Sequence, residues 1–279
     1  MQMTIRYNQD LVKHRPQAEH FSVHFWQQLG QQSGSAGGRN LAYFIQTNNE
    51  LSTLPMVLRH YYRGGLVGKV NRDWFLRQSF ARQASKGDEE PHYLTAPVTS
   101  SALRSTRSFA EFELLAWMYE QGLPVPRPIA ASVTPRAGLW YQADILIERL
   151  PCDGDVFSLL KREALSHEIW HELGRTIATM HQHGVYHSDL NCHNLLVARG
   201  APATHQGAAM QTTAAQRRAG NAARVWLIDF DKCERREPGE WAQANLARLR
   251  RSFDKEKNLH DNFHFSDDNW QWLMDGYQA

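Results

Sequence analysis

The chain has 279 residues, 42% of them hydrophobic and 22% charged, enough to bury a sizeable core in one large or two small domains. A formal net charge of +2 does not mark a nucleic-acid binder. Cys152, Cys192 and Cys233 lie 40 or more residues apart, which argues against a disulfide framework or a zinc site and for a reducing cytoplasm.

The N-terminal MQMTIRYNQD lacks the apolar core of a signal peptide, and no run approaches the length of a membrane span, so membrane contact would be peripheral. Residues 1–32 read as an irregular arm with a short helix around His20–Leu29. The glycine-rich run 34–38 leads into a strand at Leu41–Gln46, and a turn at Asn48-Asn49 precedes a second strand at Pro55–Tyr62. That succession predicts an antiparallel sheet.

Ser108–Gln121 has apolar residues at 109, 112, 115, 116 and 119, the period of a helical face, and ends at Gly122 before a proline-rich stretch. Tyr141–Leu150 is strand-like and stops at Pro151. Ser166–His183 carries apolar residues at 169, 170, 173, 177 and 180 and closes at Gly184, the pattern of a well-formed helix. Residues 199–224 contain four arginines and no carboxylate among Ala, Gln, Gly and Thr, and read as a flexible insertion between two strands. Trp241–Lys257 is amphipathic, with Ala242, Leu246, Leu249 and Phe253 on one face and Arg248, Arg251 and Lys255 opposite.

The chemistry concentrates in His187-Ser188-Asp189-Leu190-Asn191-Cys192-His193-Asn194, which runs into an apolar strand, and in Val225–Asp231, where Asp229 ends another. A carboxylate and a carboxamide five residues apart, with a second carboxylate at a strand end, is what phosphoryl transfer needs. One acid orients an acceptor hydroxyl, while an amide oxygen and a second acid hold Mg²⁺ against ATP phosphates.

HxDxxxxN followed by such an aspartate resembles the signature of the protein-kinase-like superfamily. The resemblance implies an α+β bilobal fold: an N-terminal lobe at 1–148 with an antiparallel sheet and one key helix, and a mainly helical C-terminal lobe at 149–279. It implies ATP and Mg²⁺ as cofactors, Asp189 as catalytic base, Asn194 and Asp229 as metal ligands, and His187 as a brace for the loop. Met56-Val57-Leu58-Arg59 matches the strand that usually presents a phosphate-binding lysine, so Arg59 takes that place; Lys69 is a rival. Glu111 is the helix partner for this cation, with Glu113 second. Backbone amides of Gly37 and Gly38 would approach phosphate, and the adenine-contacting hinge would lie near Glu148-Arg149-Leu150.

Only 50 residues follow Asp229, Phe230-Asp231 stands where Phe-Gly is usual, and there is no APE segment. These departures disfavour a peptide acceptor and favour a small or lipid-linked one. The segments VLRHYYRGGLVGK, EFELLAWMYEQGLPVPRPIAA, HSDLNCHNLLV, WLIDFDKCERR and WAQANLARLRRSFDK together resemble the Gram-negative 3-deoxy-D-manno-octulosonic acid (Kdo) kinases, relatives of the lipopolysaccharide core heptose kinases.

This second resemblance implies phosphorylation of the 4-hydroxyl of a Kdo sugar on a lipid A precursor, at the cytoplasmic face of the bacterial inner membrane. Arg63, Lys69, Arg248, Arg251 and Lys255 would then meet the anionic acceptor or an anionic membrane surface. No nucleic-acid partner is expected, and no obligate protein partner is evident. The rivals are a kinase of another core sugar such as heptose, a kinase of a soluble small molecule, and a catalytically silent scaffold.

Overall fold

The computed structural model describes residues 2–36, 41–61, 75–76, 93–95, 101–136, 140–199 and 223–279. Gly37, Gly38, Arg63 and Lys69, and residues 200–222 of the expected insertion, lie outside them. The chain divides into one unit made of Met1–Trp117 with Pro126–Leu150 and a second made of Met118–Val125 with Pro151–Ala279.

The first unit is organised by a seven-stranded antiparallel sheet. Strand β1 (Thr4–Tyr7) lies at one edge, and helix α1 (Val23–Gln28) precedes the hairpin of β2 (Gln32–Ala36) and β3 (Ala42–Ile45) at the other. Strand β4 (Met56–His60) pairs with β3 and β7, the short β5 (Phe75–Leu76) also pairs with β7, and helices α2 (Ser101–Arg104) and α3 (Arg107–Glu120) lead to β6 (Pro128–Pro135) and β7 (Trp140–Glu148). Trp26, Ile45, Leu51, Met56, Leu58, Ile129, Ala130 and Leu146 form a core cluster here.

The arm is more ordered than its composition implies. Residues 4–7 join the sheet as β1, alongside β6. Beyond them, His14 Nε2 and His20 Nε2 each stand 2.6 Å from an oxygen of Glu50, which fastens the arm to the loop after β3. Helix α3 also departs from its expected one-sided face. Phe109, Phe112, Leu115 and Ala116 are buried as the period predicts, yet Ser108, Glu111, Leu114 and Met118 are buried too, while Tyr119 is half-exposed. A helix enclosed on most sides loses its amphipathic signature.

The second unit holds β8 (Gly154–Asp155), α4 (Val156–Leu160), α5 (His167–Gln182), β9 (Val185–Tyr186), β10 (Leu195–Ala198), β11 (Arg224–Leu227), β12 (Glu234–Arg235), α6 (Trp241–Leu259) and α7 (Asp267–Gln278). Helix α5 follows its apolar period closely: Ile169, Trp170, Leu173, Ile177 and Met180 are all buried. It stops where Gly184 takes φ +71°, a left-handed conformation that glycine adopts at no steric cost. Strands β10 and β11 form an antiparallel hairpin across the insertion, and β9 pairs with β12. Trp170 of α5, Phe253 of α6 and Phe265 join in an aromatic cluster, with Phe253 and Phe265 stacked at 4.7 Å between centroids.

Helices α5 and α7 meet through glycine. A Cβ added at Gly174 would lie 2.0 Å from the Leu273 carbonyl oxygen, and one added at Gly276 would lie 2.0 Å from that of His171. The two backbones approach too closely for any side chain. Gly174→Ala must therefore push the helices apart, and overpacking of this kind costs about 1–3 kcal/mol. Thermal unfolding of Gly174→Ala should shift down by roughly 3–10 °C; an unchanged melting temperature would mean that the crossing is looser than described.

Candidate active site

In the second unit the chemistry-bearing segments are tied together by backbone hydrogen bonds. His187 is fully buried. Its Nε2 lies 3.0 Å from the Ile228 carbonyl, and the Asp189 N–H donates to its Nδ1 at 3.2 Å. A carbonyl can only accept and an N–H can only donate, so the ring is the neutral Nε2–H tautomer. Burial pushes its pKa down, against the pull of the Ile228 carbonyl and of the Asp229 and Asp189 charges, in keeping with that form. The Phe230 ring packs on the imidazole at 4.9 Å.

The remaining bonds close the network. Asn194 Nδ2 donates to the Asp189 carbonyl at 2.9 Å, Asn191 Nδ2 donates to the same oxygen at 3.0 Å, and the Ile228 N–H donates to the Asn194 carbonyl at 3.1 Å. Asp189 and Asn194 thus share one hydrogen-bonded framework with Ile228, the residue that precedes Asp229. Asp229 itself has φ +63°, an uncommon conformation for a residue with a side chain, at the end of β11. The Ser188 hydroxyl donates to the Asp231 carbonyl at 2.7 Å, joining the two segments once more.

The donor set suits a hard cation. The Asn194 amide nitrogen is committed to the Asp189 carbonyl, which fixes the carbonyl oxygen as the opposite end of that amide. An amide oxygen and the Asp229 carboxylate are the oxygen ligands that Mg²⁺ takes. Cys192, inside the motif, is unsuited to such chemistry: burial pushes its thiol up to about 12, far from a reactive thiolate.

The first unit presents a buried cation. Arg59, on β4, donates to the Glu111 carboxylate of α3 through Nη2, and the Tyr61 hydroxyl donates to the same carboxylate at 2.5 Å. Arg59, Tyr61 and Glu111 are all buried. Burial and the neighbouring Glu111 charge hold the Tyr61 phenol well above its usual range, so it remains a donor. The pairing separates the two expected partners of Arg59, because Glu113 pairs instead with Arg6 and Arg104.

Around the expected hinge, the Glu148 N–H donates to the Arg127 carbonyl and the Arg149 N–H to the Pro55 carbonyl, each at 2.9 Å. The Arg127 guanidinium grips the Glu148 carboxylate in a fork at 2.8 and 2.9 Å. Both N–H groups are thereby engaged within the unit.

The three basic residues expected on the outer face of α6, Arg248, Arg251 and Lys255, are all exposed, Lys255 standing 3.2 Å from Glu256. Arg248 pairs with Asp189, its Nη1 3.2 Å from Oδ1. The sequence reading missed this contact, and it also missed Asn245, which is buried on the same helix. Asn245 accepts from the His187 N–H at 3.1 Å and donates to the His187 carbonyl at 3.0 Å. A buried asparagine within an apolar stripe was the available signal.

The lipopolysaccharide kinase (Kdo/WaaP) family model matches residues 23–95 and 92–277. A relative from Mannheimia succiniciproducens called 3-deoxy-D-manno-octulosonic acid kinase is 40% identical over 95% of this chain and 93% of its own. One of the same name from Haemophilus influenzae is 40% identical over 93% of this chain and 90% of its own. Among solved structures, WaaP in complex with acyl carrier protein is 12% identical, with a TM-score of 0.49 over 91% of this chain and 81% of that one. The Rio2 kinase–ADP/Mg²⁺–phosphoaspartate complex from Chaetomium thermophilum is 15% identical, with a TM-score of 0.45 over 96% and 80%.

Behind the loop, His181 makes a bond of 2.8 Å to the Tyr277 hydroxyl and one of 3.4 Å to Asn245 Oδ1. Burial lowers its pKa from 6.5 to about 4. Between those values the unfolded chain binds a proton that the folded chain does not. Stability is therefore complete above the unfolded pKa and is lost as pH falls toward the folded one, by about 3 kcal/mol in all. Melting temperatures recorded from about pH 7 to about pH 5 should fall, and the fall should flatten in His181→Gln. Superimposable profiles would remove His181 as the titrating group.

Proposed function

The chain belongs to the lipopolysaccharide kinase (Kdo/WaaP) family, and from that premise we propose that it transfers the γ-phosphoryl group of ATP to the 4-hydroxyl of a Kdo sugar on a lipid A precursor. It is a phosphotransferase with an alcohol acceptor. The support for the acceptor is near full-length similarity to relatives called 3-deoxy-D-manno-octulosonic acid kinase, in a chain whose hydrogen bonds tie Asp189 and Asn194 to Ile228, next to Asp229.

In this reading Asp189 orients the acceptor hydroxyl and takes its proton as the new O–P bond forms and the bond from the γ-phosphorus to the ADP oxygen breaks. Asn194 and Asp229 would hold Mg²⁺, which when bound offsets charge on the phosphates. Arg59, oriented by Glu111 and Tyr61, would give a forked cation for phosphate in place of the usual lysine. His187 holds the loop and takes no part in proton transfer, since both of its nitrogens are engaged by the backbone.

The wild-type protein, incubated with ATP, Mg²⁺ and a Kdo-bearing lipid A precursor, should yield a product heavier by one phosphate in mass spectrometry, and Asp189→Ala should yield none while still binding nucleotide. Product from a heptose-bearing core and none from the Kdo acceptor would overturn the choice of sugar. Normal turnover by Asp189→Ala would remove that residue as base.

The same reading places the chain peripherally on the anionic cytoplasmic face of the inner membrane, with exposed Arg251 and Lys255 facing the lipid. Among the described residues no helix is long and apolar enough to cross a membrane. Changing both residues to Gln should weaken binding to anionic vesicles by about 10-fold or more at low salt, each cation near such a surface contributing ~1 kcal/mol. An unchanged partition would assign these side chains to ordinary solvated surface.

A further inference from the structure

The loop from His187 to Asn194 contains no lysine or arginine, although the segment must hold an anionic base against a substrate that is itself anionic. A cation reaches it from elsewhere in the chain. Arg248, on α6, places Nη1 3.2 Å from Asp189 Oδ1.

This contact is one of a series. Asn245 brackets the His187 peptide from both sides at 3.1 and 3.0 Å, Arg248 meets the Asp189 side chain, and the Ser252 hydroxyl accepts from the Cys192 N–H at 3.2 Å. Positions 245, 248 and 252 recur at helical spacing and share one flank of α6. They meet residues 187, 189 and 192 in the same order, so helix and loop run alongside each other in register. Farther along, Glu256 stands 3.7 Å from His193 Nε2.

The members of the series differ in exposure. Asn245 is 1% exposed and acts on backbone. The side chains of Arg248 and Asp189 are 45% and 60% exposed. An ion pair so open to water contributes little to folding stability. What it can do is restrict the rotamer of a short carboxylate on the loop. With Oδ1 held by the guanidinium, Oδ2 is the oxygen left to receive a hydroxyl proton, and the guanidinium has further N–H groups to present to an anion beside it.

We propose that Arg248 is a positioning residue for the catalytic base: it holds the Asp189 carboxylate by one oxygen, on a helix that Asn245 and Ser252 keep in register with the catalytic loop. This rests on the reading of Asp189 as base, and it replaces the membrane-facing role that helical geometry alone suggests for Arg248. The defect in Arg248→Ala should lie in the chemical step, because a misaimed base costs rate even when both substrates bind normally.

The test compares wild type, Arg248→Ala, Arg248→Lys and, as a control on the same helix, Lys257→Ala, each followed both by phosphate transfer to the Kdo-bearing acceptor and by acceptor-free ADP release. Arg248→Ala should lose about 10²-fold in kcat with KM for ATP within about twofold and no change in melting temperature. Added guanidinium ion at millimolar concentration should restore part of that rate where urea does not, Arg248→Lys should fall between, and Lys257→Ala should match wild type.

Wild-type kcat in Arg248→Ala, or loss of rate in proportion to loss of folded protein without rescue by guanidinium, would overturn the proposal. A wild type silent on the Kdo acceptor would sink the acceptor reading alone, because ADP release still compares Arg248→Ala with wild type. Full ADP release by Asp189→Ala would remove the base through which Arg248 is held to act, and the proposal with it.

Discussion

The two hydrogen bonds of His187 are the constraint on which the candidate site depends. A fully buried imidazole cannot easily carry charge, and a neutral one has a single N–H. With that proton directed at the Ile228 carbonyl, the bare nitrogen faces the Asp189 N–H. One ring therefore joins the loop bearing Asp189 to the strand end bearing Asp229. Protonation would set a second N–H against the Asp189 amide and break the arrangement. Burial decides the charge, charge decides the tautomer, and the tautomer decides the loop. Asn245 and Phe230 keep the imidazole and its peptide in place, so a histidine inside the chemistry-bearing motif serves structure rather than proton transfer.

The buried cation of the first unit follows a related logic with opposite electrostatics. A buried guanidinium would be costly alone, and that of Arg59 is tolerated because Glu111 neutralises it and Tyr61 donates to the same carboxylate. Such a pair is weak evidence for stability, since well-packed apolar residues often serve folding as well. On β4 the pair fixes the direction of one buried positive charge. The second acid on the same helix, Glu113, faces Arg6 and Arg104 and so ties the edge strand to α3. Two glutamates two residues apart thus serve unrelated partners, because successive positions on a helix point in different directions.

Elements with strong periodicity or a local stop signal were legible from the residues. Helix α5, ended by a left-handed glycine, is the clearest case, and the antiparallel pair of β3 and β4 is another. The missed elements have physical reasons for their silence. Strand β1 has only four residues and gains its partner from β6, more than a hundred positions away. Strand β6 begins and ends in proline and is buried through its first six residues, so it shows no alternation. Helix α7 is short and rich in polar residues, and its packing on α5 depends on two glycines whose role is visible only when the backbones are seen together.

By itself the sequence determined the composition of the candidate site, because an acid, an amide and a second acid each sit within a few residues of a strand, and such spacing is fixed by covalent geometry. It also determined the class of chemistry those groups suit and the family to which the chain belongs. The tertiary structure alone decided two pairings: Asn245 on the His187 peptide, and Arg248 on Asp189 across 59 positions of sequence. The amphipathic period of α6 assigns its apolar stripe but not its polar flank, since a helix in isolation cannot show which charged side chain faces water and which faces a loop packed beside it.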